Sequence, residues 1–236
     1  MIHKFLSKIK NLFFPKPIIE YRYNSYSQVG EDAIVAFLFA DKKIEQITYL
    51  DLGANIPDFS NNTYLFYQRG YRGVLVEADI TLIPTIQKVR SEDKIIHAGI
   101  STSLEEEADF FVFNEKGLNT FDPKEAESRS NMEGYSIVQT VKVPLVSINK
   151  VIENNFEKFP DFLSIDIEGL DLDVLKSLNF EKFPIPVICV ESCVFSENHI
   201  RPKDRSIIEF MLSQDYQIYA DTYVNTIFVN KTWFNN

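Results

Sequence analysis

The stretch Ile47-Thr48-Tyr49-Leu50-Asp51-Leu52-Gly53-Ala54-Asn55 constrains the fold more than any other part of the chain. It reads as a short apolar strand running into a loop that opens with an acid and a glycine. A helix-like segment, residues 62–67, follows. Strand, glycine turn and helix in that order specify a parallel α/β sheet, in which ligands lie outside the carboxyl ends of the strands. A second acid, Glu77, ends the next strand, residues 73–76. A carboxylate there can grip ribose hydroxyls, so the pair points to a nucleoside-type ligand.

The loop narrows the choice. A dinucleotide site needs G-x-G-x-x-G so that backbone can approach a pyrophosphate. Here Gly53 stands alone, with Asn55, Pro57 and Phe59 where further glycines would be required. A cofactor with adenine, ribose and a charged amino-acid tail, but no phosphate, fits better than a nicotinamide dinucleotide. The competing reading is structural: Gly53 supplies a positive φ and Asp51 caps the following helix.

The length, 236 residues, suits one α/β domain with additions. A net charge of −10 argues against a nucleic-acid partner, for which a basic footprint is expected. Cys189 and Cys193 lie around one apolar strand with no metal-like partner pair, and read as inert thiols compatible with a reducing cytoplasm. No apolar run reaches the roughly 18 residues of a membrane span. Residues 1–25 read as a basic amphipathic extension to a domain over 26–236. Within it Lys4, Lys8, Lys10 and Lys16 accompany Ile2, Phe5, Leu6, Ile9, Leu12 and Phe13 at helical spacing. Residues 1–17 therefore suit an anionic membrane surface, at the inner face of a membrane, or packing against the domain or a partner.

Downstream, residues 33–39 read as a buried helix and 94–101 as one strand, whose small residues leave room for a flat adenine ring. Glu31 and Asp32 read as complements to the helix dipole, and Gln28 as a ligand contact. Residues 116–140 are polar and read as an insertion or lid, with Asn119 and Thr120 as candidate substrate contacts. Residues 141–146 read as a strand and 147–156 as a helix capped by Ser147. The second informative stretch is 161–169, a buried strand delivering Asp166 and Glu168 at its carboxyl end. Alternation puts both carboxylates on one side if the strand continues. Another buried strand, 186–191, ends in Glu191. A helix over 206–212 and a hairpin of 216–220 with 226–229 close the chain.

These residues resemble the FkbM-type family of S-adenosylmethionine-dependent methyltransferases. The likeness is carried by Tyr-Ser-Gln-x-Gly-Glu-Asp at 26–32, Asp-Leu-Gly-Ala-Asn-x-Pro at 51–57 and Ser-Asn-Asn-Thr-Tyr-Leu-Phe-Tyr at 60–67. It continues through Arg-Gly-Tyr-Arg-Gly at 69–73, Leu-Asn-Thr-Phe at 118–121 and Phe-Leu-Ser-Ile-Asp-Ile-Glu-Gly-Leu-Asp at 162–171. The resemblance implies a Rossmann-like class I methyltransferase fold: a mostly parallel seven-stranded sheet with a reversed last strand and helices on both faces. It places Asp51, Gly53, Ala54 and Asn55 at the cofactor's methionine end, Glu77 and Ala78 at its ribose, and His97, Ala98 and Gly99 near adenine. Gln28, Asn62 and Thr63 would close the pocket. Two departures stand out: Ala78-Asp79 replaces the proline frequent after the acid in broader relatives, and segments 1–25 and 192–205 match no motif.

The activity implied is methyl transfer to a hydroxyl, usually on a sugar, glycan-linked or secondary-metabolite acceptor. An alcohol benefits from a base within hydrogen-bond reach, and Asp166, Glu168 and His199 are the candidates. Alternatively Asp166, Glu168 and Glu191 hold Mg²⁺ that acidifies substrate hydroxyls. A scaffold that binds cofactor without catalysis is the different-class alternative.

Overall fold

The computed structural model describes residues 24–103, 105–193 and 202–236. All but two residues of the basic extension, and His199, lie outside the described residues. In chain order the helices are α1 (Glu31–Asp41), α2 (Tyr64–Gln68), α3 (Ile83–Val89), α4 (Pro123–Ser130), α5 (Ile148–Asn155), α6 (Asp171–Ser177), α7 (Arg205–Ser213) and α8 (Lys231–Asn235). The strands are β1 (Thr48–Leu52), β2 (Arg72–Glu77), β3 (Lys94–His97), β4 (Gly99–Ser101), β5 (Glu107–Phe113), β6 (Ile137–Ser147), β7 (Phe162–Ile165), β8 (Val187–Glu191), β9 (Tyr216–Asp221) and β10 (Asn225–Asn230).

Seven strands form the main sheet in the order β3-β2-β1-β7-β8-β10-β9. All neighbours are parallel except β10, which runs antiparallel to both β8 and β9. The expected reversed last strand is therefore present, inserted between β8 and β9. The central strands are apolar on both sides because both faces are covered, as parallel sheets require. Leu50, Leu52, Leu163 and Ile188 pack on one face with α5, α6 and α7 residues such as Ile152, Val174 and Met211. Tyr49, Leu75, Phe162 and Cys189 pack on the other with Val35, Phe39 and Phe66 of α1 and α2.

Strand β1 pairs with β2 on one side and β7 on the other, so connections leave it in both directions. That makes the carboxyl end of β1 the switch point where a crevice opens. Glu31 and Asp32 do more than face a helix dipole. Asp32 accepts hydrogen bonds from Ser25 Oγ (2.7 Å), Ser27 Oγ (2.9 Å) and the Tyr26 N–H (2.7 Å). Glu31 accepts from Thr222 Oγ1 (2.6 Å) and Asn225 Nδ2 (3.0 Å), tying α1 to the turn between β9 and β10.

Two expected elements are built differently. The single strand read over 94–101 divides at Ala98, whose N–H donates to Glu77 O. β3 stays in the main sheet, while β4 joins a small sheet of order β4-β6-β5. Segment 116–140 is a folded part of that layer rather than a bare insertion. It holds a 3₁₀ turn (Lys116–Leu118), α4 and the first residues of β6, and Thr120 exchanges backbone hydrogen bonds with Phe111. Ser147 caps α5 by accepting from the Lys150 N–H, as expected.

β2 passes so close to β1 that a Cβ on Gly73 would lie 2.2 Å from the Tyr49 ring and 2.3 Å from Tyr49 O. A backbone oxygen cannot swing aside. Gly73→Ala is therefore expected to cost at least about 3 kcal/mol, the upper range for overpacking, read as a lower urea midpoint with unchanged slope. An unchanged midpoint would refute the close approach.

Candidate active site

A cavity of about 390 Å³ opens at the carboxyl ends of β1, β2, β7 and β8. Its floor starts at Gly53, whose φ of 85° and whose hypothetical Cβ, 1.9 Å from Asp166 O, leave space for no other residue. Glu77 forms one wall. Its two carboxylate oxygens accept from the backbone N–H groups of Asn55 (2.8 Å) and Asp79 (2.7 Å). Each oxygen retains capacity for a second hydrogen bond, so this carboxylate is held in place and still able to bind a diol. Burial raises its pKa, offset in part by those N–H donors. The opposite wall is apolar: Leu82, Ala98, Gly99, Ile100, Phe110 and Phe121 line a slot beside Glu77. The space beside Gly99 is taken by Phe121, since a Cβ would meet that ring at 2.4 Å. The small residues there admit an aromatic wall rather than leaving a void.

The far end is acidic. β7 stops at Ile165, so strand alternation does not set the directions of Asp166 and Glu168. A tight turn does: Glu168 has φ 58° and Gly169 φ 108°, and Asp171 accepts from the Ile167 and Gly169 N–H groups, both at 3.2 Å. The turn brings Asp166 and Glu168 to Glu191 at the end of β8, with one carboxylate oxygen of each within 4.8 Å of the others. Arg129 of α4, almost fully buried, donates to Glu168 Oε2 (2.7 Å) and to Leu118 O (2.9 Å). Burial pushes the Asp166 and Glu191 carboxyls well up, and their acidic neighbours push them further. Burial likewise lifts Glu168 to about 7 against the pull of Arg129. At neutral pH the cluster needs protons or a cation, because like charges this close do not all ionise.

A second cavity of about 140 Å³ shares Glu168 and Glu191 with the first, and is otherwise lined mainly by Glu125, Arg129, Asp171, Cys193 and Asp204. Glu168 and Glu191 thus stand between the two chambers, and Asp166 faces the larger one.

Of the residues singled out in the sequence, Gln28, Gly53, Asn55, Glu77, Ala78, Ala98, Gly99, Asn119, Asp166, Glu168 and Glu191 line the main cavity. Asp51 does not: its buried carboxylate accepts from Thr63 Oγ1 (2.7 Å) and Asn61 Nδ2 (3.0 Å) and lies 3.8 Å from Arg90. Burial nevertheless raises its pKa. Thr63 serves that network, and Asn62 turns inward to Ser164 Oγ (3.1 Å). Ala54 is buried in the apolar core, and the His97 ring lies 3.0 Å from Ala78 O. Thr120 Oγ1 donates to Glu168 O (2.8 Å), supporting the turn that carries Glu168 rather than lining the main cavity. Ile56, Phe59, Phe110 and Phe121 were not legible as site residues, because apolar side chains carry no local mark of lining a cavity.

A mostly parallel seven-stranded sheet with one reversed strand inserted beside its last position, and a cavity at its switch point, is the Rossmann-like class I methyltransferase fold. The Methyltransferase FkbM domain matches residues 51–218, and the chain belongs to that family of S-adenosylmethionine-dependent methyltransferases. No curated protein sequence matches it. Among solved structures, an O-methyltransferase from Bacillus cereus in complex with SAH is 13% identical, covering 96% of this chain and 88% of that one at a TM-score of 0.43. A putative O-methyltransferase from Klebsiella pneumoniae is 11% identical over 95% and 94%, also at 0.43. A putative RNA methyltransferase from Pyrococcus horikoshii is 11% identical over 84% and 82%, at 0.43.

The raised Glu168 pKa has a measurable sign. Below the unfolded chain's 4.5 the carboxyl is protonated folded or unfolded, and its contribution is intact. Between 4.5 and about 7 only the folded state keeps the proton, so stability falls as pH rises through that window. After discounting for partial exposure, the loss is on the order of 2 kcal/mol. Glu168→Gln is expected to shrink the Tm difference between pH 5 and pH 8 by roughly 5 °C in scanning calorimetry. An unaltered difference would count against the raised pKa.

Proposed function

We propose that the protein is an O-methyltransferase whose acceptor is a sugar hydroxyl of a glycan or glycan precursor. The observation that carries this reading is the carboxylate partition between the two chambers. When bound, S-adenosylmethionine supplies an electrophilic methyl carbon on a positive sulfur. The large cavity is read as its site: Glu77 binds the ribose hydroxyls, the slot from Leu82 to Phe121 takes adenine, and Gly53 and Asn55 border the amino-acid tail. The smaller chamber, with polar and mostly acidic walls, suits a polyhydroxylated acceptor. Asp166 or Glu168 takes the proton from its reacting hydroxyl, and Arg129 holds Glu168 in reach. The Glu168 carboxyl, lifted to about 7, suits this role, since a base with pKa near the working pH transfers protons most effectively.

A second reading rests on the same oxygens. Three carboxylates within 4.8 Å form the hard anionic donor set that Mg²⁺ takes. Asp166, Glu168 and Glu191 would hold the ion, and its charge would acidify an acceptor hydroxyl. Ile56 and Phe59, exposed at 46% and 68% beside the cavity, favour an acceptor with an apolar carrier such as a lipid. Binding of residues 1–17 to a membrane face belongs with that variant.

Calorimetry with S-adenosylmethionine and S-adenosylhomocysteine is expected to show binding, weakened about tenfold or more in Glu77→Gln. Absence of heat with both compounds would remove the cofactor assignment. Tritiated methyl transfer into fractionated glycans is expected to label a sugar oxygen, and Asp166→Asn to lower kcat by about 10² or more. Label in protein or RNA alone would overturn the acceptor assignment. Full activity in EDTA selects the carboxylate base; loss restored by Mg²⁺ selects the ion.

A further inference from the structure

One fully buried charge lines neither of the two cavities. Arg90, at the end of α3, is fully buried. Its Nε donates to Asp93 Oδ2 (2.8 Å), and its Nη1 to Thr63 Oγ1 (2.9 Å) and Asn61 Oδ1 (3.1 Å). Its Nη2 has no hydrogen-bond partner. The guanidinium instead lies among aromatic rings, 5.3 Å from the Tyr49 centroid, 5.5 Å from Tyr67 and 6.0 Å from Tyr64. A desolvated cation with an unused donor is costly, and this one answers two buried carboxylates, Asp93 and, at 3.8 Å, Asp51.

What the guanidinium reaches explains its retention. Asn61 is the joint between it and the cavity. The Asn61 side chain donates to Ala54 O (3.2 Å) and Asp51 Oδ2 (3.0 Å), and accepts from the backbone N–H groups of Thr63 and Tyr64. The Asn61 backbone N–H donates to Tyr26 O (3.0 Å). One residue thereby fastens both ends of the loop over 54–61 and the segment that carries Gln28. Gln28, Asn55, Ile56, Phe59 and Ser60 all line the main cavity. Asn55 and Ser60 hold positive φ values of 45° and 51°, conformations that persist only where surroundings enforce them.

We propose that Arg90 is a positioning residue for the cofactor: acting through Asn61, it fixes the two loops that form the cavity mouth. The proposal rests on the cofactor reading given above for the cavity itself. Lysine cannot replace Arg90, because a point charge does not bridge Asp93, Thr63 and Asn61 at once.

The test uses the full chain with Arg90→Lys, Asn61→Ala and the double variant. S-adenosylhomocysteine is titrated by calorimetry well below each variant's own Tm, and hydrogen exchange is followed in parallel. The expected result is at least a tenfold weaker Kd in each single variant, with the double variant no worse than the weaker single. Exchange is expected to rise at least tenfold in residues 26–30 and 54–61, with β1, β7 and β8 still protected. A residue of purely structural importance would lower Tm and loosen the sheet while leaving Kd intact, which would overturn the proposal. Unchanged loop exchange in a folded Arg90→Lys or Asn61→Ala protein would overturn it equally. If Arg90→Lys does not fold, Asn61→Ala carries the same two readouts. Should wild type bind no S-adenosylhomocysteine while the loops still loosen as expected, the cofactor reading fails and the loop anchor stands.

Discussion

Negative charge crowded at the strand ends is the constraint around which this structure is arranged. β1, β2, β7 and β8 each bring a carboxylate to the same edge of the sheet, within one residue of their last: Asp51, Glu77, Asp166 and Glu191. Left alone, such a group would be strongly disfavoured in a low-dielectric interior. Three remedies are visible. Asp51 has Arg90 and two neutral donors, Glu77 has two backbone N–H groups, and the Asp166–Glu168–Glu191 cluster has, among the described residues, the guanidinium of Arg129. The first two groups are satisfied by the protein itself. Among the described residues the third is not, and chemistry is assigned to the place where compensation falls short.

Buried Arg129 ties the segment outside the seven-stranded sheet to the acid cluster. Arg129 sits on α4, in the segment outside the seven-stranded sheet, and meets Glu168 across the cavity wall. Thr120 reaches the same turn from the same segment. The segment between β5 and β6 therefore supports a turn that belongs to the main sheet.

Much of the frame was readable in advance because it rests on short-range rules. An apolar run ending in an acid marks a strand end at Asp51, Glu77 and Asp166, and a glycine marks the turn that follows the first and third, at Gly53 and Gly169. The partners of those acids were not readable. Arg90 closes a helix, where a cation ordinarily just suits the dipole, and Arg129 lies in a segment dense with charge. Nothing local distinguishes them from solvated residues; only packing from distant parts of the chain does. For the same reason Asp51, the acid most prominent in the sequence, was read as a ligand contact. Asn61 and Thr63, ten and twelve residues later, occupy its oxygens first. Asp166 and Glu168 were correctly linked but for the wrong geometric reason: the positive φ at Glu168-Gly169, not strand alternation, aims them.

The placement of β10 bears on how the protein comes into being at the ribosome. β8, which presents Glu191, acquires its outer neighbour only from residues 225–230, since β10 slots between it and β9. Glu31, near the start of α1, is likewise engaged by Thr222 and Asn225. Synthesis delivers β10 after every other strand of the sheet, so the growing polypeptide carries β8 with an open edge until residues 225–230 emerge.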